Sequence, residues 1–139
     1  MRGPIFLDTA GWFAAINHKD PGHQRAADSY TQWLAHERRR LVTTNLIVAE
    51  MHVLLARRLG VAAGVAFLDG VYADPLHEVV FADRDLEREA VDRWLRPFAD
   101  QTFSLTDAVS FEVMRRRRLR QAFTFDQHFR VAGFETVPG

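Results

Sequence analysis

Four carboxylates in this sequence have the residue type and position that metal chemistry requires. Three are aspartates at points where an apolar run or a loop is expected to meet a helix, and the fourth is a glutamate inside an apolar helix. They are Asp8, Glu50, Asp107 and Asp126. Because the carboxyl ends of parallel strands share one edge of a sheet, we expect these groups to lie close together. Four adjacent carboxylates would repel one another, so the set predicts a bound divalent cation.

The absence of cysteine limits the kind of metal that such a site can hold. With no thiolate, and with no HxxxH or HxH histidine pair, the expected ligands are carboxylate oxygens, which select Mg²⁺ or Mn²⁺. His128 comes nearest to a candidate ligand, and we expect it to be a helix-surface residue. Both ions retain bound water and contact phosphate oxygens, so the set indicates hydrolysis of a phosphodiester.

Helix capping is the competing explanation for the three aspartates. An aspartate at a helix N-terminus contributes about 0.5 to 2 kcal/mol through a hydrogen bond or an interaction with the helix dipole. Ser104 and Asp107 have the spacing of a capping box, and Asp126 directly precedes a short helical pattern. Each aspartate alone is better explained as a cap than as a metal ligand.

Glu50 cannot be explained as a cap, because it lies in the middle of a helical pattern with apolar neighbours one turn away. A carboxylate beside an apolar helix face requires a cation, a metal or a route to solvent. The alternative is a residue at the rim of that face that points outward into solvent or pairs with Arg57 or Arg58 at the surface.

Strand and helix patterns alternate along the chain and predict how the acids are positioned. Short apolar runs predict strands at residues 3–7, 40–44, 76–81, 121–125 and 134–137. Periodic apolar residues predict helices after Asp8, at residues 23–39, 46–59 with Asn45 as the cap, 61–72 and 83–95, from Ser104, and at residues 127–132. This order predicts an α/β fold with a mostly parallel sheet of about five short strands and helices on both faces.

Composition predicts a single globular domain over residues 1–139, since 47% of the residues are hydrophobic and 26% are charged. No apolar run is long enough to span a membrane and no signal peptide is recognisable, so the expected compartment is the cytoplasm. The sequence also has no GxGxxG or GxxxxGK[ST] phosphate loop and no GxSxG nucleophile motif.

Charge is balanced overall, with 18 basic and 18 acidic residues, so the chain has no global signature of nucleic-acid binding. Nearly all the basic residues are arginines, and they form runs at residues 38–40 and 115–118. The guanidinium group binds phosphate through two parallel hydrogen bonds. We therefore interpret the second run as a candidate RNA-contacting track; the alternative is that both runs are solvated helix ends. Its residues are Arg115, Arg116, Arg117 and Arg118.

Four segments together resemble the PIN-domain ribonuclease family, particularly the VapC-type toxins of bacterial toxin-antitoxin pairs. The segments are IFLDTAGWFAAI, TTNLIVAEMHVLL, FSLTDAVSFEVMRRRRLRQAFTFDQHF and GFETV. The resemblance extends over essentially the whole chain and includes the order and spacing of the motifs. It implies a three-layer α/β/α fold and a Mg²⁺- or Mn²⁺-dependent endoribonuclease.

The resemblance assigns roles to particular residues. It implies that the acidic quartet of the family is Asp8, Glu50, Asp107 and Asp126, with Thr9, Asp100 and Thr124 as supporting residues. It also implies a structured RNA substrate such as tRNA, a homodimer, and inhibition by a cognate antitoxin. Two alternatives remain open from sequence: a PIN-fold RNA- or protein-binding module without useful nuclease activity, and a nuclease that acts on DNA.

Overall fold

A five-stranded, fully parallel sheet forms the centre of the molecule in the computed structural model, which describes residues 2–139. The strands are β1 (Ile5–Leu7), β2 (Leu41–Thr44), β3 (His77–Val80), β4 (Gln121–Phe123) and β5 (Glu135–Val137). Their spatial order is β3-β2-β1-β4-β5. Strand order therefore reverses at β1, whose neighbours are β2 and β4. In open parallel sheets, a crevice at the carboxyl ends of the strands forms at such a reversal.

Seven helices cover the two faces of this sheet. They are α1 (Thr9–Ile16), α2 (His23–Thr31), α3 (Asn45–Leu59), α4 (Val61–Ala73), α5 (Arg84–Ala90), α6 (Leu105–Arg117) and α7 (Gln127–Val131). Helices α1 to α4 pack on one another, and α5 to α7 form the second group. The predicted three-layer α/β/α architecture with five short strands is confirmed, and the sheet is wholly rather than mostly parallel.

The strands β1 and β2 are buried on both faces. β1 is wholly apolar, and the buried Thr43 of β2 donates its hydroxyl to the Leu7 carbonyl. Trp12 of α1 and Phe111 of α6 are among the largest fully buried side chains. α1 lies so close to β4 that a Cβ on Gly11 would be 2.5 Å from the carbonyl oxygen of Phe123. Glycine at this position allows the first turn of α1 to lie against the end of β4.

Local boundaries differ from the sequence expectation where side chains or tertiary contacts decide them. α2 and α5 each continue as a π-helical segment, Gln32–His36 and Val91–Leu95. The N-cap of α3 is Thr44 rather than the predicted Asn45: Thr44 Oγ1 accepts a hydrogen bond from the Ile47 amide. Asn45 instead accepts one from the Ala82 amide and so ties α3 to the chain after β3. No helix among residues 2–139 is long and apolar enough to cross a membrane.

Candidate metal centre

Asp8 immediately follows β1 and is the most enclosed of the four acids, with 5% of its surface exposed. It is the N-cap residue of α1, yet its side chain makes no capping hydrogen bond. Instead its Oδ2 accepts a hydrogen bond of 2.7 Å from the Thr124 hydroxyl, which lies just beyond β4. A good capping residue thus directs its carboxylate across the crevice rather than to its own helix.

Asp107, Asp126 and His128 form a cluster beside Asp8. One ligand atom from each of these three residues lies within 4.8 Å of the other two. His128 Nδ1 is 3.1 Å from Asp107 Oδ2 and 3.7 Å from Asp126 Oδ1. Thr124 joins this cluster to Asp8, because its hydroxyl oxygen also accepts a hydrogen bond of 2.9 Å from the Asp126 amide. The end of β4 and the starts of α6 and α7 therefore meet at one point.

Capping and clustering both apply to Asp107 and Asp126. Asp107 completes a capping box with Ser104, since its Oδ2 accepts a bond of 3.1 Å from the Ser104 amide. Asp126 caps α7 by accepting a bond from the His128 amide. Within the described residues 2–139, each leaves its other carboxylate oxygen without a protein donor. The capping interpretation is correct for these two aspartates, and the remaining oxygens are available to a cation.

Glu50 lies at the open side of the crevice and is exposed rather than buried among its apolar neighbours. The route to solvent that such a carboxylate requires is therefore present. Glu50 Oε1 accepts a hydrogen bond of 2.7 Å from the Thr9 hydroxyl, and Thr9 is the residue next to Asp8. Among residues 2–139 Glu50 forms no ion pair with Arg57 or Arg58, and its exposure agrees with the other form of that alternative, a rim residue that points outward.

Three residues, Thr9, Thr124 and His128, connect the four predicted acids, partly through side-chain and backbone hydrogen bonds and partly along the chain. Thr9 links Glu50 to the chain at Asp8, and Thr124 links Asp8 to Asp126. His128 then links Asp126 to Asp107. Both threonines contact the predicted acids, and their supporting role in the reaction stays a prediction. Asp100 differs, because its one side-chain hydrogen bond within the described part of the chain comes from its neighbour Gln101; its role at the metal stays a prediction.

Burial and two neighbouring carboxylates set the electrostatic state of Asp8. Burial raises the pKa of Asp8 from its ordinary 3.8 to about 7, against the opposing hydrogen bond from Thr124. The carboxylates of Asp107 and Asp126 raise the pKa further, while the Thr9 amide lowers it. A divalent cation would reverse this balance by favouring the ionised carboxylate. The donor set consists of two carboxylates and one imidazole whose ligand atoms lie within 4.8 Å of one another, with the Asp8 carboxylate beside them, and it fits a hard divalent ion that retains water.

His128 is the member of the cluster that the sequence interpretation missed. It was expected on a helix surface, whereas its ring lies between two of the acids and packs edge-on against Phe103 at 5.2 Å. The sequence feature that could have identified His128 is its spacing from Asp126, which places the two residues at the N-cap and in the first turn of α7. This spacing indicates a shared site only if the start of α7 is known to face the start of α6.

The arginines at residues 115–118 contact groups outside the acidic cluster. Arg115 and Arg116 both bind the carboxylate of Glu112, which is fully buried. Arg117 pairs with Glu78 of β3, and Arg118 forms the C-cap of α6. Contact of this run with RNA stays a prediction, but two of its four guanidinium groups already have a buried partner.

Comparison with known proteins places the chain in a family. Residues 5–135 match the PIN domain, and the chain therefore belongs to the PIN domain family. Over 133 residues it is 34% identical to the 23S rRNA-specific endonuclease VapC20 of Mycobacterium tuberculosis, strains CDC 1551 / Oshkosh and ATCC 25618 / H37Rv. The alignment covers 96% of this chain and 97% of the relative. The resemblance noted in the sequence is confirmed.

Solved structures give the same placement. A crystal structure described as Mycobacterium tuberculosis VapC20, Sarcin-Ricin loop cleaving toxin, superposes with a TM-score of 0.81 at 33% identity, covering 94% of this chain and 95% of the other. FitAcB from Neisseria gonorrhoeae superposes with a TM-score of 0.66 at 17% identity, covering 95% of each chain. The second match reflects a shared fold.

Proposed function

We propose that this protein is a divalent-metal-dependent endoribonuclease toxin that cleaves ribosomal RNA. The observation that carries the proposal is Asp8, a carboxylate enclosed beside Asp107 and Asp126, whose pKa is raised to about 7 by burial and, to a smaller extent, by these two neighbouring carboxylates. A carboxylate kept in this state lowers stability, and such groups concentrate at functional sites. Similarity to a 23S rRNA-specific endonuclease over nearly the whole chain supports RNA as the substrate.

Three of the acids are the proposed direct ligands of Mg²⁺ or Mn²⁺: Asp8, Asp107 and Asp126. His128 orients Asp107 and Asp126 through its ring and its amide, and Thr124 orients Asp8. When bound, the ion supplies a Lewis acid that neutralises phosphate charge and lowers the pKa of a water molecule. Glu50, exposed at the rim and held by Thr9, is positioned to accept a proton from the attacking water.

Substrate and partners follow from the similarity to VapC20. We propose 23S rRNA at the sarcin-ricin loop as the substrate, which specifies the structured RNA expected from sequence and replaces tRNA as the first choice. A cytoplasmic location fits a ribosomal target. A cognate antitoxin and a homodimer are also part of the proposal. An open cleft of about 480 Å³ beside Glu50 is lined by Ala49, Val53 and Leu54, and it offers an apolar surface to the antitoxin or to a second copy of the chain.

Cleavage of purified 23S rRNA tests the proposal. Wild-type protein purified free of any antitoxin is incubated with the RNA in Mn²⁺, in Mg²⁺ and in EDTA, and Asp107→Asn serves as the contamination control. Asparagine can still accept the capping hydrogen bond from the Ser104 amide, so the fold around α6 is kept. We expect one cut, bearing a 5′-phosphate, that appears only with wild-type protein and metal. Intact RNA in every lane would refute the proposal.

A further inference from the structure

The two arginine runs noted in the sequence meet at the edge of the sheet opposite to the acids. Strands β1, β2 and β4 are adjacent and parallel, so the residues that precede them lie side by side. The exposed arginines at this amino edge are Arg2, Arg38, Arg40, Arg117, Arg118 and Arg120. Arg40 and Arg117 contact the same carboxylate, that of Glu78, which joins the two runs directly. We call these six residues the arginine edge.

Positive charge is concentrated at the arginine edge. With the buried Arg39, seven of the chain's 18 basic residues lie at this edge, against four of its 18 acidic residues: Glu37, Asp74, Glu78 and Glu135. The rest of the chain therefore carries a net negative charge, although the whole chain is neutral. A protein that brings a polyanion to an acidic crevice must attract it elsewhere, and this edge is where the positive charge lies.

Three of these arginines are free to bind a ligand. Arg38, Arg118 and Arg120 have no ion pair among residues 2–139, whereas Glu78 engages Arg40 and Arg117. Arg118 and Arg120 line a cleft of about 280 Å³ together with Arg39. Arg39 is fixed there by bonds to the Gly3 carbonyl and to Gln121. The cleft, which Glu135 also lines, thus combines two arginines that have no ion pair among residues 2–139 with one that is held in place.

Backbone conformation gives a second, independent indication. Arg38 and Arg118 have φ angles of 49° and 56°, and they are the non-glycine residues with positive φ in the described part of the chain. Each follows a helix and precedes a strand, a position where glycine is usually preferred. Arginine is less favourable than glycine in this conformation, and strained positions of this kind cluster at functional sites.

We propose that the arginine edge binds the phosphate backbone of the substrate RNA at a second point, away from the cleaved bond. This inference rests on the proposed ribonuclease function. Asp107 and Arg117 are ten residues apart on α6, a rise of about 15 Å, so the edge contacts RNA well beyond the reactive phosphate. A large folded RNA such as 23S rRNA can reach both sites, whereas an isolated stem-loop reaches the acids alone. The edge therefore selects large RNA over small RNA with the same cleavage site.

The test compares two variants that lose the same charge. The edge variant carries Arg38→Gly, Arg118→Gly and Arg120→Gln; glycine relieves the positive φ, so its melting temperature should equal or exceed that of the wild type. The control carries Arg25→Gln, Arg57→Gln and Arg88→Gln, which are exposed arginines elsewhere with no ion pair among residues 2–139.

Binding of a long 23S rRNA fragment is measured in EDTA by fluorescence anisotropy at several salt concentrations. For the edge variant we expect affinity to fall about 10- to 30-fold at low salt and the slope of log K against log salt to decrease by about 2. The control should change little. Equal binding by wild type and edge variant, or equal losses in both variants, would overturn the inference.

Cleavage with Mn²⁺ separates this inference from the proposed function. The ratio of kcat/KM on the long fragment to kcat/KM on the sarcin-ricin stem-loop should fall about tenfold in the edge variant, through KM. An unchanged ratio in an active enzyme would refute the arginine edge alone. If wild-type protein cuts neither RNA, the proposed function fails, and the binding data alone decide whether the edge contacts RNA.

Discussion

Asp8 and Glu112 are both buried carboxylates, yet their surroundings are opposite. Glu112, on α6, is fully buried and is bonded by Arg115, Arg116 and the Trp94 indole, with Arg93 at 3.2 Å. Burial raises its pKa, but these hydrogen bonds outweigh burial and lower it to about 2. Asp8 forms no ion pair with an arginine or lysine among residues 2–139, and burial raises its pKa to about 7. The fold supplies positive charge to the structural carboxylate and none to the carboxylate that we propose as a metal ligand.

The largest expected difference concerns catalysis. Asp8→Asn should lower 23S rRNA cleavage at least about 10²-fold, because it removes the ligand that orients the ion, whereas Glu112→Gln should retain cleavage at temperatures where it is folded. Single-turnover cleavage rates measure this difference, with each variant assayed at the same number of degrees below its own melting temperature. Comparable losses in both would mean that Glu112 also serves the reaction.

Stability against pH should change in opposite directions at the two sites. Because the folded pKa of Asp8 is raised, the metal-free folded state holds a proton that the unfolded state has lost, so stability falls as pH rises from about 4 to 7. The shift corresponds to about 4 kcal/mol. Urea unfolding in EDTA should show this decline in the wild type and a flatter profile in Asp8→Asn.

The corresponding effect of Glu112 lies at lower pH. Its folded pKa is lowered, so its stabilisation is present above about pH 4.5 and is lost as pH falls towards 2. Glu112→Gln should therefore flatten the acid limb of the same urea experiment and leave the decline between pH 4 and 7 unchanged. If Glu112→Gln instead altered the decline in stability between pH 4 and 7, the assignment of the acid limb to Glu112 would be contradicted.

Removing the Glu112 side chain should cost stability without a metal effect. Glu112→Ala leaves the Trp94 N–H and three arginines without their shared acceptor, at a cost of about 2 to 4 kcal/mol. Since the arginine side chains are 43% to 44% exposed, water compensates them in part. Chemical denaturation with and without Mn²⁺ checks this: the loss should be the same in both conditions.

His128→Asn should give the smallest change. The amide that donates to Asp126 remains, and only the ring contact with Asp107 is lost, so we expect about 1 kcal/mol less stability and weaker Mn²⁺ binding. Thermal shift at graded Mn²⁺ concentrations measures the second effect. An unchanged metal response would show that the ring has no part in holding the cluster.

The fold was predictable from the sequence because strands and helices alternate with clear apolar periods. Boundaries were less predictable, as at Asn45, where the bond to Ala82 depends on a contact with the chain after β3. The acids could be found because Asp8, Asp107 and Asp126 lie at junctions that parallel topology brings together. His128 could not, since only tertiary packing brings it to the start of α6. The spacing of Glu112 to Arg115 and Arg116 on α6 is visible in the sequence, but its burial and its contacts with Trp94 and Arg93 depend on tertiary packing.

Calorimetric titration of Mn²⁺ into the metal-free protein tests the central claim most directly. We predict saturable binding to the wild type and to Glu112→Gln, binding that strengthens as pH rises through 7 because protons leave Asp8, and no detectable binding to Asp8→Asn. Equal binding to wild type and Asp8→Asn would contradict the account, because the uncompensated carboxylate would then not be the one that holds the ion.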